Sequence, residues 1–237
     1  MFQGFTDETF DFFTAIQFNN NTEFFHSNHD WYMDSVRKPC LALAEALSDA
    51  VEAVDDDLER RPNRVLSRIN RDLRFSRDKS PYRDHLWLGY RHPARETGRE
   101  RFEEGLPGLY FEIDAQSASY GMGAYAENRP LMNGLRRRML TEPEAFIELL
   151  DAVQGEFTPF LRTFKRMKLP DELHPALRPW YPVRGFWLEK TITDFSLLKS
   201  PALADEVAGG FTRLAPIYRY VMSTPPEMDA DATKERP

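Results

Sequence analysis

One charged segment limits how this chain can fold. Residues 68–83, with the sequence RINRDLRFSRDKSPYR, hold six cations and two carboxylates, whereas the whole chain has a net charge of −7. A cation that is buried without a partner costs several kcal/mol, because it loses its hydration. The fold must therefore pair these cations with its own carboxylates and carbonyl groups, or leave them open to an anionic ligand.

Two backbone conformations fit the start of this charged segment. In a strand, Ile69 shares one face with Arg71, whereas a helix places Ile69 beside Leu66. We favour a strand over residues 65 to about 70. An irregular loop should follow it, because Pro81 disfavours a helical backbone at the residue before it.

The length of the chain allows one sizeable core. A chain of 237 residues with 41% hydrophobic residues is typical of one large domain or two small ones. We predict one domain over residues 1–223. The last residues, 224–237 (TPPEMDADATKERP), are polar, charged and rich in proline, which predicts a disordered tail.

The composition predicts a soluble, cytoplasmic protein. No apolar run approaches the ~18–20 residues of a membrane helix, so we expect no membrane association. The N-terminal residues, MFQGFTDETF, carry acids where a signal peptide has cations. The single cysteine, Cys40, cannot form an internal disulfide, which fits a reducing compartment. The acidic net charge makes nucleic acid an unlikely partner, since non-specific binding depends on phosphate neutralisation.

Amphipathic helical segments surround stretches in which apolar and polar residues alternate, and this predicts an α+β fold. A first helix should begin after Thr6, a capping residue followed by two acids, and a last helix should follow Ser200 and run to about Tyr220. We predict a mainly antiparallel sheet covered by N-terminal and C-terminal helices. The five predicted strands are residues 65–70, 85–91, 108–115, 119–125 and 185–191.

The charged segment is the predicted ligand site, and the predicted ligand is a small anion that bears phosphate. Guanidinium groups form planar forks that match phosphate oxygens, and an ammonium group adds a compact charge. A carboxylate between arginines would orient them, and a tyrosine hydroxyl would donate to the ligand. The predicted ligand-binding residues are Arg68, Arg71, Asp72, Arg74, Lys79 and Tyr82.

The sequence leaves the chemistry at this segment open. Asp78 and Tyr82 are the candidate catalytic residues, and whether the protein is an enzyme is undecided. The sequence predicts no metal site and names no cofactor or oligomeric state. If the segment binds the ligand, replacing Arg74 by Ala should abolish ligand-induced thermal stabilisation and leave the fold intact.

Two other functions fit the same charges. The first is a non-catalytic interaction module. In it, the segment is either a knot of salt bridges that fastens a loop or a docking site for an acidic partner protein. Nucleic-acid binding is the third alternative, with Trp87 and Tyr90 as stacking faces.

Two further patterns favour structural roles. The sequence GMGAYA from Gly121 matches a dinucleotide-binding pattern, but it follows a predicted antiparallel strand, so the glycines should instead allow a close backbone approach. Three consecutive arginines, residues 136–138, are predicted to lie at the exposed end of a helix, where cations suit the helix dipole.

Eight residues of the charged segment follow the spacing RxxRDxRFxxDKxxY, from Arg68 to Tyr82. This spacing resembles the signature of the bacterial family catalogued as domain of unknown function 2461. The resemblance extends from residue 2 to about residue 222, and it implies no activity, because the family is uncharacterised. The other residues that carry the resemblance are Asn19, Asn20, Phe24, Phe25, residues 108–110, Gly121 and Gly123.

Overall fold

An antiparallel sheet of five strands and a larger number of helices give the α+β fold that the sequence predicts. The computed structural model describes residues 1–74, 78–94, 101–102 and 105–227. The strands of the sheet lie in the order β1–β4–β5–β7–β6, and β2 pairs with β3 in a separate short sheet. The strands are β1 (Leu86–Tyr90), β2 (Pro93–Ala94), β3 (Arg101–Phe102), β4 (Gly108–Ile113), β5 (Ala118–Ala124), β6 (Thr158–Thr163) and β7 (Val183–Ile192).

Helices precede the sheet, lie between its strands and follow its last strand, β7. A π-helical turn, Tyr32–Arg37, joins α3 to α4, and a 3-10 turn, Pro175–Leu177, precedes β7. No helix in the described ranges combines the length and the apolar character that a membrane span requires. The α-helices are α1 (Asp7–Phe18), α2 (Thr22–Ser27), α3 (His29–Trp31), α4 (Lys38–Ala46), α5 (Ser48–Val54), α6 (Pro62–Val65), α7 (Arg129–Thr141), α8 (Pro143–Asp151), α9 (Phe195–Leu198) and α10 (Ala202–Met222).

One predicted strand is wrong and one strand of the sheet was not predicted. Residues 65–70 begin at the end of α6 and pair only through isolated bridges, Leu66 with Leu88 and Asn70 with Tyr82. Pro62 in the first turn of α6 favours a helical start there. The fifth strand is β6, which pairs antiparallel with β7.

The chain forms two compact units. The first consists of Met1–Tyr90, Leu109–Tyr120 and Thr191–Phe211, and the second of Arg91–Gly108, Gly121–Lys190 and Thr212–Pro237. The single domain over residues 1–223 stays a prediction.

Aromatic side chains fill the core of the first unit. Phe12 and Phe13 of α1 are fully buried. Phe5, just before α1, stacks on Phe111 of β4 with 6.1 Å between ring centroids. Gly4 has a φ of 98°, and a Cβ there would lie 2.4 Å from the carbonyl carbon of Lys199, so only glycine brings the two backbones this close.

The second unit has its own core around Phe146 of α8. The Phe146 ring stacks on Tyr220 at 5.3 Å and meets the edge of Trp180 at 5.4 Å. The guanidinium carbon of Arg138 lies 3.5 Å from the centroid of the Tyr220 ring, a cation–π contact.

The start of the predicted tail belongs to the second unit. Thr224 is buried, and its hydroxyl donates to the carbonyl of Tyr220 at 2.9 Å. The amide of Glu227 donates to the carbonyl of Pro130 at 2.8 Å. The ordered chain therefore extends at least to Glu227, and the rest of the predicted tail, residues 228–237, lies outside the described residues.

Gly121 and Gly123 allow β5 to approach β7, as the sequence predicts. A Cβ on Gly121 would lie 1.8 Å from the carbonyl oxygen of Leu188, and one on Gly123 would lie 2.5 Å from the Cβ of Trp187. Neither contact is sterically allowed, so the glycines serve strand packing.

Candidate functional site

The charged segment lies in the first unit between α6 and β1. Its middle, residues 75–77, which includes Phe75 and Arg77, lies outside the described residues. Arg71 is half-buried and its neighbours up to Arg74 are exposed. The segment closes through main-chain hydrogen bonds: the amide of Arg71 donates to the carbonyl of Pro81, and that of Arg83 to the carbonyl of Ile69, both at 2.8 Å.

Arg71 joins the two ends of the segment. Its guanidinium lies 3.0 Å from a carboxylate oxygen of Asp78 and donates to the carbonyl of Tyr82 through Nε and Nη2, at 3.4 and 3.2 Å. The side chain is mostly covered, so these partners replace the water that it has lost. Arg71 therefore fastens the loop in this structure, and its predicted contact with a ligand stays a prediction.

Several residues that carry the family resemblance meet at Tyr82. The side-chain amide of Asn20 donates to the Tyr82 carbonyl and accepts from the Tyr82 amide, each at 2.9 Å. Tyr82 is 4% exposed, and its ring stacks on Phe25 with 4.2 Å between centroids. Asn20, Phe25, Arg71 and Tyr82 thus form one structural network, which we call the Tyr82 clamp.

Arg74 and Asp72 form a pair at the surface. Nε and Nη2 of Arg74 donate to the two oxygens of Asp72 at 3.0 and 2.7 Å, a bidentate contact. The hydrogen bond from the Arg74 side chain lowers the pKa of Asp72 to about 2. Asp72 orients Arg74, whereas Arg71, the other arginine that it was predicted to orient, pairs with Asp78. Since the Arg74 side chain is 78% exposed, its pair with Asp72 adds little to stability.

Arg68, Lys79 and Arg83 form no ion pair with a carboxylate in the described part of the chain, although Asp72 and Glu112 act electrostatically on Arg83. Lys79 donates to the carbonyl of Leu73 at 2.8 Å, and Arg68 is exposed. The Arg83 guanidinium lies 4.7 Å from the centroid of Trp87, and its buried Nε has no hydrogen-bond partner among the described residues. Burial lowers the pKa of Arg83.

The predicted catalytic residues are poorly placed for acid–base chemistry. A backbone hydrogen bond from Ser80 lowers the pKa of Asp78, which makes this carboxylate a weak proton acceptor at neutral pH. Tyr82 is buried against Phe25. Tyr90 is fully buried and offers no stacking face for a nucleic acid, contrary to the third alternative, and Trp87 is covered in part by Arg83.

A cleft in the second unit gathers more positive charge than the charged segment does. Its volume is about 820 Å³, and six of the side chains that line it are cations, against one carboxylate. We call it the basic cleft. Its cations are Arg129, Arg136, Lys165, Arg166, Lys168 and Arg184, its carboxylate is Glu127, and its other lining residues are Met132, Asn133, Phe164 and Met167.

Three parts of the second unit bring these side chains together. Arg129, Asn133 and Arg136 recur at helical spacing along α7, so they share one face of the helix. Residues 164–168, with the sequence FKRMK, follow β6, and Arg184 lies near the start of β7. Cations that are far apart in the sequence therefore face one space.

Arg136 forms the fixed base of the basic cleft. Nε donates to the carbonyl of Tyr181 at 2.8 Å, Nη2 to the carbonyl of Val183 at 2.5 Å, and Nη1 to the side chain of Asn133 at 2.6 Å. Arg136 is only 9% exposed, so the prediction that residues 136–138 lie together at an exposed helix end is wrong. The reason is that backbone carbonyls just before β7 and at its first residue take up its hydrogen bonds. Of the three arginines, only Arg137 is exposed.

The remaining cations of the cleft are poorly neutralised. Lys165, Arg166 and Lys168 are exposed and make no ion pair within the ranges that the structure describes. Arg129 donates to Glu127 at 2.8 Å, and this hydrogen bond lowers the pKa of Glu127, which therefore stays ionised. Arg184 reaches Glu127 only at 3.9 Å, and its buried Nε has no partner among the described residues.

Sequence reasoning missed the basic cleft because its cations are dispersed. The strongest signal was the run Lys165-Arg166-Met167-Lys168, three cations in four residues at the end of residues 157–168, a segment whose conformation the sequence does not predict. The helical spacing of Arg129 and Arg136 was a second signal. Neither signal shows that these residues face each other, since that depends on the pairing of β6 with β7.

Comparison with protein-family models gives a match over most of the chain. A family model described as a conserved hypothetical protein (DUF2461) matches residues 8–220, which is most of the chain. A search of curated proteins found none that matches.

Proposed function

We propose that this chain, which belongs to the DUF2461 family of conserved hypothetical proteins, binds a small phosphate-bearing anion in the basic cleft. The observation that carries the proposal is the charge of the cleft: six cations and one carboxylate line it, in a chain whose net charge is −7. The proposed ligand is of the class that the sequence predicts, a small phosphate-bearing anion. The first candidate site is now the basic cleft and no longer the charged segment.

The dimensions of the cleft suit a small molecule. Binding sites for small molecules measure roughly 300–1,000 Å³, and the basic cleft, at about 820 Å³, falls within that range. A cleft lined by one sign of charge focuses the field and raises the local concentration of oppositely charged ligands. These properties favour a ligand with more than one negative charge, such as a diphosphate or triphosphate.

The lining residues offer different kinds of contact to a phosphate group. Arg136 is held rigidly, so it supplies a preorganised positive charge at the base of the cleft. Lys165 and Lys168 carry flexible ammonium groups, each with three donors. Arg184 has a buried Nε that lacks a partner in the described residues, and a phosphate oxygen would satisfy it.

The charged segment is the second candidate site for the same anion. Arg68, Lys79 and Arg83 form no ion pair among the described residues, so an excess of positive charge persists there. Against it, Arg71 and Arg74 are paired with Asp78 and Asp72. Docking of an acidic partner protein at this segment stays the alternative proposal.

Calorimetric titration with inorganic triphosphate tests the proposed function. The purified full-length protein is used in a buffer free of phosphate, sulfate and divalent metals. We expect the combined variant Lys165→Ala, Arg166→Ala, Lys168→Ala to weaken binding by at least about a hundredfold, since each charge-assisted contact contributes about 1.5 kcal/mol or more. Circular dichroism checks that the variant is folded.

Two exposed arginines outside the cleft give matched controls. Arg137 follows Arg136 on α7 and Arg178 lies after the 3-10 turn, and neither lines the cleft. Arg137→Ala and Arg178→Ala should bind triphosphate as the natural chain does. The proposal is wrong if the natural chain binds no triphosphate, or if these controls weaken binding as much as the cleft variant does.

A further inference from the structure

An exposed row of aromatic rings lies on the strands of the second unit. The rings of Phe160 and Trp187, on β6 and β7, are stacked with 5.3 Å between centroids and 9° between planes. The ring of Tyr125, directly after β5, lies 5.7 Å from Trp187. The Arg162 guanidinium lies 5.4 Å from the centroid of Tyr125. We call Tyr125, Phe160 and Trp187 the aromatic row.

The backbone fixes two of the three members of the row. Phe160 and Trp187 are directly opposite each other in the register of β6 with β7, and such cross-strand aromatic pairs stabilise a sheet. Gly123 of β5 leaves room for the Trp187 side chain, since a Cβ on Gly123 would lie 2.5 Å from the Cβ of Trp187. Sheet stability therefore accounts for Phe160 and Trp187.

Sheet stability does not account for Tyr125. Its side chain is 71% exposed, so it buries little apolar area and gains little from the hydrophobic effect. Arg162 nevertheless holds the residue in place, because Nη1 of Arg162 donates to the Tyr125 carbonyl at 2.7 Å. The Tyr125 ring, which lies against Trp187 and Arg162 and is open to solvent, offers a stacking platform.

The aromatic row adjoins the basic cleft within the second unit. Glu127 lines the cleft and is only two residues after Tyr125. Arg162, which holds Tyr125, also acts electrostatically on Glu127. A ligand with a planar ring and a phosphate chain fits this arrangement, because its ring would stack on Tyr125 and its phosphates would pair with the cations of the cleft.

We infer, on the basis of the proposed function, that the ligand is a nucleoside diphosphate or triphosphate whose base stacks on Tyr125 while its phosphates enter the basic cleft. Every nucleobase has a π face, so stacking alone selects nucleotides as a class and not one base. A sugar phosphate or inorganic polyphosphate has no ring to place on Tyr125. The acidic net charge of the chain favours a free nucleotide over a long nucleic acid.

Titration with ATP and with inorganic triphosphate, two polyanions of similar charge, tests this inference. Calorimetry of the full-length protein is run at constant ionic strength without divalent metals. We expect ATP to bind about tenfold more tightly than triphosphate, because stacking of one base on an aromatic side chain is worth this much or more. In Tyr125→Leu this preference should disappear while the affinity for triphosphate is unchanged.

Two variants control for the loss of the ring. Tyr125→Phe keeps the ring and should keep the preference for ATP. Phe18→Leu removes another exposed aromatic ring, at the end of α1, where 82% of the residue is exposed, and should also keep the preference. Both substitutions are at the surface, so both variants should fold.

Four other results would overturn the nucleotide inference. If triphosphate and ATP bind equally well, or if Tyr125→Leu keeps the preference, the nucleotide inference is overturned and the proposed function stands. If neither ligand binds, both are overturned. If a single-stranded oligonucleotide binds at least ten times more tightly than ATP, the ligand is a nucleic-acid strand and the inference is again overturned.

Discussion

The charged segment and the basic cleft contain similar numbers of cations, yet the fold uses them differently. In the charged segment the cations are close in sequence, and carboxylates lie among them: Asp72 pairs with Arg74, and Asp78 with Arg71. In the basic cleft six cations from separate parts of the second unit face one carboxylate. Positive charge that is dense along the chain is therefore partly neutralised, whereas the positive charge gathered in the cleft meets one carboxylate, and the proposed ligand would neutralise more of it.

The comparison also distinguishes side chains that hold the loop in place from side chains that are proposed to bind a ligand. Arg71 takes its partners from the protein, and the side chain of Asn20 binds both the carbonyl and the amide of Tyr82. Lys165 and Lys168 take none from the described residues. The following predictions test this separation, from the largest expected effect to the smallest.

The largest effect should come from removing the ring of Tyr82. Tyr82→Ala leaves a cavity beside Phe25 and should lower the free energy of unfolding by about 3–5 kcal/mol. Tyr82→Phe keeps the ring and should cost less than about 1.5 kcal/mol. Urea denaturation followed by circular dichroism measures both. If Tyr82→Ala unfolds at the same urea concentration as the natural chain, the Tyr82 clamp is not a structural fastening.

Asn20→Ala should have the second largest effect. The substitution leaves the amide and the carbonyl of Tyr82 without their side-chain partner, which should cost about 2 kcal/mol of folding stability. Asn19→Ala is the matched control, since the Asn19 amide is exposed and donates only to the carbonyl of Ala15. Thermal unfolding compares the two variants. Equal melting temperatures for the two would contradict the clamp.

Arg74 and Lys168 should differ in their effect on ligand binding. Lys168→Ala should weaken triphosphate binding about tenfold, whereas Arg74→Ala should change it by less than twofold, because Arg74 is already paired with Asp72. This expectation reverses the one drawn from the sequence alone, which made Arg74 essential. Ligand-induced thermal stabilisation measures both. If Arg74→Ala abolishes it while the fold persists, the charged segment is the site.

The smallest effect concerns how folding stability depends on pH in acid. The folded pKa of Asp72, about 2, is below its ordinary value of 3.8, so its contribution to stability is present above pH 4 and is lost as the pH falls through about 2. In Arg74→Ala the pKa of Asp72 should return towards 3.8. Carboxyl-carbon NMR titration measures this. An unchanged pKa would mean that the bidentate pair does not form in solution.

Local sequence signals predicted much of the fold. Thr6 and the acids after it correctly placed the start of α1, and the alternation in β4 and β5 correctly predicted strands. The sequence did not reveal β6, because Thr158–Thr163 lies at the edge of the sheet with most of its residues exposed and shows no alternation. Periodicity indicates which residues face a core, so it fails where a strand has little core to face.

The candidate site was harder to predict for a related reason. The charged segment attracted attention because its charges are contiguous, although the sequence does not show that Arg71 turns inward to the Tyr82 carbonyl. The basic cleft depends on the pairing of β6 with β7, which brings residues 164–168 near Arg184. Long-range strand pairing is set by tertiary packing and not by local propensity.

The clamp around Tyr82 gives one backbone proton an unusual role. The Tyr82 amide donates to a side chain, that of Asn20, which is 62 residues away in the sequence. Its exchange with deuterium therefore requires two distant parts of the chain to separate, and not only a local opening of a strand or turn. The exchange rate of this single proton measures how often the turn between α1 and α2 and the charged segment come apart.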